Sequence, residues 1–402
     1  MLRFGGEIAV AKPACSLPGG TVGENIHGVV GKCPQCGIVH ALQHRIGKRL
    51  ALGAEQSCGT ITNGSVEKSE AMIETLRRRF DRGYNPTAKP LTPSAINRYI
   101  KCGLSFFYYY VLGLKPAEEI DVEMRPTDFG IVFHKAAEEL YKRMLDGKQI
   151  IDVNDIERYL KYPQCLDEIV DTAFKETFFK GSAPIYNGEQ YINRGMLKRF
   201  LLHLLRIDKS AAPIYYICGE GEVSMPYNIT SNGNNIELEI GGTIDRIDVK
   251  GDTVNIIDYK TGGGSRDAKT LLEDIFAHEG KSSGYRLQSL LYSIVIDELL
   301  AGNNVKTSGG GCNWANILKP LKPTKVSPYL LYVHRENDAE KREDYIVEAN
   351  GEPTTDVTKI KAEFMERLNE ILVEIFDKNI KFNPTCDEKR CEYCDYKKIC
   401  GK

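Results

Sequence analysis

At 402 residues, with 42% hydrophobic and 27% charged positions, the chain is long enough to bury one large core or two ordinary ones, and its composition is that of a soluble globular protein, for which disorder is not the default. A formal net charge of −2 excludes a global pull on a polyanion, so nucleic-acid contact has to come from local basic patches. No run approaches the roughly 18 consecutive apolar residues of a membrane helix and the N-terminus lacks a signal-peptide core, so the expectation is a cytoplasmic protein with no membrane partner.

Taken in chain order, residues 1–65 are rich in Gly, Ser and Thr and show little periodicity. Within them Cys33-Pro-Gln-Cys36-Gly resembles a zinc knuckle for Zn2+, with Cys15, Cys58, His27, His40 and His44 as candidate completing ligands; a flexible leader is the competing reading. Residues 66–82 predict a short basic helix closed by Gly83 and Asn85-Pro86, dividing the chain into an N-terminal segment, 1–85, and a domain, 86–402. Thr92-Pro93 supplies an N-cap and first-turn proline for a helix through Cys102, followed by an aromatic run at 106–110. Phe133, Ala137, Leu140 and Met144 recur at helical spacing, and helical patterning continues to about residue 205. Three strands are expected at 214–227, 236–250 and 253–260, joined by Asn-Gly and Lys-Gly-Asp turns. A helix over 287–300, a strand at 329–334 and a long helix over 358–376 follow. This order predicts an α/β fold, a mixed sheet flanked by helices, with a helical insertion before the strands.

Chemistry concentrates on two of these strands. Side chains alternate along a strand, so Asp258 and Lys260 share one face, a costly placement for packing alone. On the neighbouring strand Ile236, Leu238, Ile240 and Ile244 keep one parity while Ile247 and Val249 take the other; the break at Asp245-Arg246 predicts a bulge that re-aims a carboxylate. Two acids on adjacent strands, with a lysine beside one of them, suit a hard cation and the polarised water of phosphodiester hydrolysis. His134 adds an imidazole, with Glu138 one turn further on the same helical face. Each feature alone is commonplace: a single histidine is more often satisfied within a core, and Asp258-Tyr259-Lys260 by itself is more often a surface ion pair.

Twelve cysteines are many for a reducing compartment, where grouped thiols point to metal ligation before crosslinks. Cys165, Cys218 and Cys312 stand apart and read as ordinary buried thiols. Cys102 with Cys391, Cys394 and Cys400 offers four thiolates that by spacing alone suit zinc or a [4Fe-4S] cluster, and Cys386 is a spare thiol beside them.

The segments GIVFHKAAE (130–138), GTIDRID (242–248), IIDYKTG (256–262) and QSLLY (288–292) occur in that order. They are preceded by LTPSAINRYIKCGLSFFYYYVLGLKP (91–116) and followed by Cys391-Glu-Tyr-Cys394 and Cys400. Together they resemble the PD-(D/E)XK nucleases of the RecB and AddB helicase-nuclease type. The resemblance implies a restriction-endonuclease-like core and a Mg2+- or Mn2+-dependent DNA nuclease, expected to be an exonuclease in repair or recombination with a separate helicase as partner. It implies that His134, Asp245 and Asp258 ligate the cation with the Tyr259 carbonyl and that Lys260 orients or activates water. Gln288 and Tyr292 would brace the site or touch substrate, and Glu222 is a candidate for the family's acid on the first strand. It also favours iron-sulfur over zinc at Cys102, Cys391, Cys394 and Cys400, the cluster stapling the domain shut. Cys102-Gly103 departs from the family's usual Cys-Pro, which predicts a looser cluster loop. No G-x4-G-K-[ST] motif is present, so this chain is not expected to power unwinding. A non-catalytic DNA-binding iron-sulfur module and a CRISPR-adaptation-type nuclease share the motifs; His134, Asp245, Asp258 and Lys260 standing together disfavour the first.

Overall fold

Two long strands, β2 (Ile214–Ser231) and β3 (Asn234–Lys250), form the spine of a six-stranded sheet that also contains β1 (Ile150–Ile151), β4 (Thr253–Lys260), β5 (Lys306–Gly309) and β6 (Lys325–Tyr332). The computed structural model describes residues 61–62, 64–115, 123–262, 271–278, 284–309, 314–335 and 341–401. Cys33, Cys36 and their candidate co-ligands lie outside the described residues, as does Cys312. Strand order is β1-β2-β3-β4-β6, with β5 pairing β2. Asn232 and Gly233, both left-handed at φ 51° and 74°, make the β2–β3 turn that the Asn-Gly pair predicts. β4 and β6 run parallel, and the remaining pairings are antiparallel.

Among the described residues, the helices of eight residues or more are α1 (Glu70–Phe80), α2 (Pro93–Lys101), α3 (Pro126–Leu145), α4 (Val153–Lys161), α5 (Asp167–Glu176), α6 (Gly188–Ala211), α7 (Gly284–Leu300), α8 (Trp314–Leu321) and α9 (Thr358–Phe376). The Thr92 hydroxyl accepts from Ala95 N at 3.3 Å, capping α2 as its sequence predicts. Phe133, Ala137, Leu140 and Met144 form the buried stripe of α3. α4 to α6 are the expected helical insertion, packed on one another and on α3. α7 lies between β4 and β6 in the chain and packs across β2, β3, β4 and β6.

The core continues N-terminally of residue 86. Met72, Leu76 and Phe80 of α1 are buried, Arg82 N donates to Glu237 O at 2.7 Å, and Val66 and Phe382 exchange backbone hydrogen bonds of 3.0 and 2.8 Å. The buried Lys68 ammonium donates to Glu374 O at 2.5 Å.

Two expectations need correction. β3 carries no register shift, although the pairing passes over Asp245 and Glu220 between Gly219↔Arg246 and Gly221↔Ile244; the extra residue is Ile217 of β2, between Tyr216↔Asp248 and Cys218↔Ile247. What looks like a parity break in β3 arises because both its faces are covered: Arg246 and Asp248 continue the face of Ile240 and Ile244 as buried charges, while Ile247 and Val249 are buried on the other. Cys218 is buried as expected, but Cys165 is exposed, on the short turn Pro163–Leu166. Among the described residues no helix is long and apolar enough to cross a membrane.

Candidate active site

Three elements converge on one point. His134 projects from α3, and its Nδ1 lies 3.3 Å from Asp245 Oδ1 on β3 and 3.8 Å from Glu220 Oε1 on β2. Ligand atoms of the three lie within 4.8 Å of one another, the one such grouping of His, Cys, Asp or Glu among the described residues. Glu220 follows the β2 bulge in a left-handed conformation, φ 50°, uncommon for a residue with a side chain. It is flanked by glycines for steric reasons: a Cβ at Gly219 would lie 2.7 Å from the Tyr216 hydroxyl, and one at Gly221 2.8 Å from Cys218 Sγ. The Gly-Glu-Gly sequence thus turns an acid toward His134. The other oxygen of Asp245 accepts the Tyr259 N–H at 2.7 Å, which fixes the carboxylate to β4.

One imidazole and two carboxylates form an N/O donor set suited to a divalent cation. Burial alone would lower the His134 pKa, but Asp245, Glu220 and Asp258 outweigh it and hold the imidazolium up to about 10. The point therefore recruits positive charge.

Asp258 and Lys260 share a face of β4 and form an almost fully buried ion pair. Burial, reinforced by Asp245 and opposed by Lys260, pushes Asp258 up to about 6. For Lys260, burial favours the neutral amine, yet Asp258 and Asp245 prevail and raise its pKa, and its ammonium stands 4.3 Å above the Tyr285 ring. Asp258 lies beside the His134–Glu220–Asp245 grouping rather than inside it.

From α7, Tyr292 and Gln288 wall the site. Burial and then the charges of Asp258 and Asp245 raise the Tyr292 hydroxyl, which interacts with Gln288. The ring packs so closely on Gly242 that an added Cβ would stand 2.6 Å from its hydroxyl oxygen. Gly242→Ala should therefore displace Tyr292, reducing cleavage at least about tenfold, with partial recovery in Gly242→Ala/Tyr292→Phe; unaltered kinetics in the single variant would show that Tyr292 is dispensable.

Glu222 is elsewhere: it is exposed and accepts from Ser308 Oγ at 2.6 Å, so the first-strand acid near His134 is Glu220, two residues earlier. Glu138 is held by Lys135 Nζ at 2.9 Å. Sequence reading also missed a buried lattice behind Asp245. Arg246 donates to Asp208 Oδ2 of α6 at 2.6 Å and its other terminal nitrogen lies 2.7 Å from Asp248 Oδ2. Arg342 donates to the same Asp248 oxygen at 2.6 Å, Asn255 to Asp248 Oδ1 at 2.8 Å, and the Tyr141 hydroxyl to Asp208 Oδ2 at 2.5 Å.

Cys102, Cys391, Cys394 and Cys400 line one cavity of about 390 Å³, which Tyr285 and Gln288 of α7 also line. Burial raises the Cys400 thiol to about 11 and raises Cys394 as well, and mutual repulsion among the four adds to both. Cys386 is exposed and lines a neighbouring cavity with Cys102 instead. The loop is tight at Gly103, not looser: a Cβ there would lie 2.9 Å from Asn383 N, and Leu104 N donates to Asn383 O at 3.1 Å.

Against known proteins, the profile of the PD-(D/E)XK nuclease superfamily matches residues 90–401. The chain belongs to that superfamily. Every site residue above falls within the match. Relatives of this superfamily member include an ATP-dependent helicase/deoxyribonuclease subunit of Alkaliphilus metalliredigens, 25% identical across 76% of this chain and 29% of the relative. The protein of the same description in Clostridium acetobutylicum is 25% identical across 50% of this chain and 17% of the relative. An uncharacterised Rickettsia conorii protein is 26% identical across 48% and 22%. The chain thus spans less than a third of the length of each of these relatives.

Proposed function

We propose that this chain is a Mg2+- or Mn2+-dependent deoxyribonuclease that hydrolyses phosphodiester bonds as an exonuclease, in cytoplasmic DNA repair or recombination beside a separate helicase. The observation that carries this reading is the convergence of His134, Glu220 and Asp245 next to the buried Asp258–Lys260 pair. The names of the helicase/deoxyribonuclease relatives support the DNA substrate and the helicase partner.

His134, Asp245, Asp258 and Glu220 would hold the cation, which when bound supplies Lewis acidity and lowers the pKa of coordinated water. Tyr259 N–H holds one Asp245 oxygen and leaves the other facing His134. Lys260, kept protonated by its carboxylates, orients the attacking water and offsets charge developing on the scissile phosphate. Gln288 and Tyr292 brace the wall facing the substrate.

The four cysteines that line one cavity would hold a [4Fe-4S] cluster, the group the superfamily resemblance favours over one zinc ion.

The test is anaerobically purified protein with end-labelled single- and double-stranded DNA in Mg2+, Mn2+ or EDTA. Cleavage with either cation and none in EDTA is expected. DNA binding without cleavage in any cation would overturn the enzymatic reading in favour of a non-catalytic binding module.

A further inference from the structure

The lattice of Asp208, Arg246, Asp248 and Arg342 is nowhere near the surface: all four side chains are at most 2% exposed. It joins three separate parts of the chain, α6 of the helical insertion, β3, and the short turn Arg342–Tyr345. Its charges balance, two guanidinium groups against two carboxylates, and neutral donors join it, Tyr141 on Asp208 and Asn255 on Asp248, while Asp208 Oδ1, Arg246 Nε and Arg342 Nε make no hydrogen bond. Stability alone is a weak explanation for such a group, because hydrophobic residues of similar volume commonly stabilise a core as well as buried ion pairs do.

Its placement suggests a more specific task. Arg246 follows Asp245 in the chain and points to the opposite face of β3. Its guanidinium lies 4.3 Å over the Tyr141 ring and beside the Tyr259 hydroxyl. Tyr259 in turn gives its N–H to Asp245 Oδ2 and presents its ring to His134 at 5.9 Å, nearly perpendicular at 88°. One tyrosine thus touches two residues of the cation site at one end and Arg246 at the other.

We propose that Arg246, held by Asp208 and Asp248, is a positioning residue for the cation site: through Tyr259 and the β3 backbone it sets the aim of Asp245 and His134, so the helical insertion controls cation affinity. This rests on the reading of His134, Glu220 and Asp245 as cation ligands. Partners one shell away from metal ligands typically change affinity by about 10- to 100-fold when altered.

The experiment measures Mn2+ affinity by calorimetry, alongside thermal unfolding in EDTA, for the full chain and five variants. Asp208→Asn, Tyr141→Phe and Arg246→Lys are the lattice variants; Tyr141→Phe and Asp208→Asn conserve shape if Arg246→Lys does not fold. Leu368→Ala, in the buried face of α9 and away from the lattice, serves as the destabilised control, and His134→Ala as the ligand control. The expected result is an Mn2+ Kd raised about tenfold or more in Asp208→Asn and Arg246→Lys, and less in Tyr141→Phe, while Leu368→Ala loses thermal stability but binds normally. Wild-type affinity in Asp208→Asn, or a Leu368→Ala variant that loses affinity in step with its stability, would overturn the positioning role alone. No Mn2+ binding by the wild type, or normal binding by His134→Ala, would overturn the cation-site reading and this inference with it.

Discussion

Asp258→Asn and Lys260→Ala should each reduce cleavage by roughly 10³-fold or more, since each removes a charge acting directly on the reaction. Their effects on stability should differ in sign. Burial lifts Asp258 from 3.8 to about 6, so the folded chain holds that proton more tightly than the unfolded one. Ionising the carboxylate therefore costs stability as pH rises through this window, and the cost is fully present at neutral pH. Asparagine removes it, so in EDTA at pH 7 Asp258→Asn should melt at a higher temperature than wild type while being inactive, as expected where a site is built for chemistry at the expense of stability. Lys260→Ala leaves Asp258 buried without its counter-ion and should melt lower, with the deficit shrinking as pH falls and the carboxylate protonates. Thermal unfolding in EDTA at pH 5 and pH 8, beside cleavage assays, tests both halves. Cleavage by either variant near the wild-type rate would refute the catalytic assignment.

Loss of the cysteine site should have the largest effect on folding. Cys102 lies near the start of the domain and Cys391, Cys394 and Cys400 at its end, so a shared cluster closes almost the whole domain into one loop; such closure is worth on the order of 5 kcal/mol in chain-entropy terms. Cluster binding and folding are then linked, because the ligand cage exists only when the two ends meet. Cys102→Ser and Cys394→Ser should lose the brown chromophore and unfold at lower temperature, with activity falling through loss of folded protein. Cys386→Ser, altering an exposed thiol that shares a cavity with Cys102 alone of the four, should change little. Iron and acid-labile sulfide content, measured with thermal unfolding on anaerobic protein, decides the matter. Full iron in Cys102→Ser, or zinc without iron in wild type, would refute a cluster on these four residues.

Most of the framework was legible from local chemistry. The Asn232-Gly233 turn, the Thr92 cap and the stripe of α3 follow from short-range rules, and the Asp258–Lys260 pairing follows from strand alternation. What escaped depended on tertiary environment. Glu220 was missed because its orientation comes from a left-handed backbone after a bulge, a geometry signalled only by the glycines on either side. Arg246 and Asp248 interrupt an apolar pattern, and only the arrival of Asp208 and Arg342 from distant segments shows that the face remains interior. Gly103 suggested looseness until the backbone of Asn383 was seen against it.

The backbone exchange between Val66 and Phe382, with α1 packed behind it, bears on what can be moved as a working cassette. Recombination that joined this nuclease to a new carrier at residue 86 would strand Phe382 without its partner and uncover the surface that Met72, Leu76 and Phe80 occupy. An exchange upstream of residue 64 carries both halves of that seam together. The transplantable unit is therefore set by which ends pair with each other, and it begins earlier than the motifs.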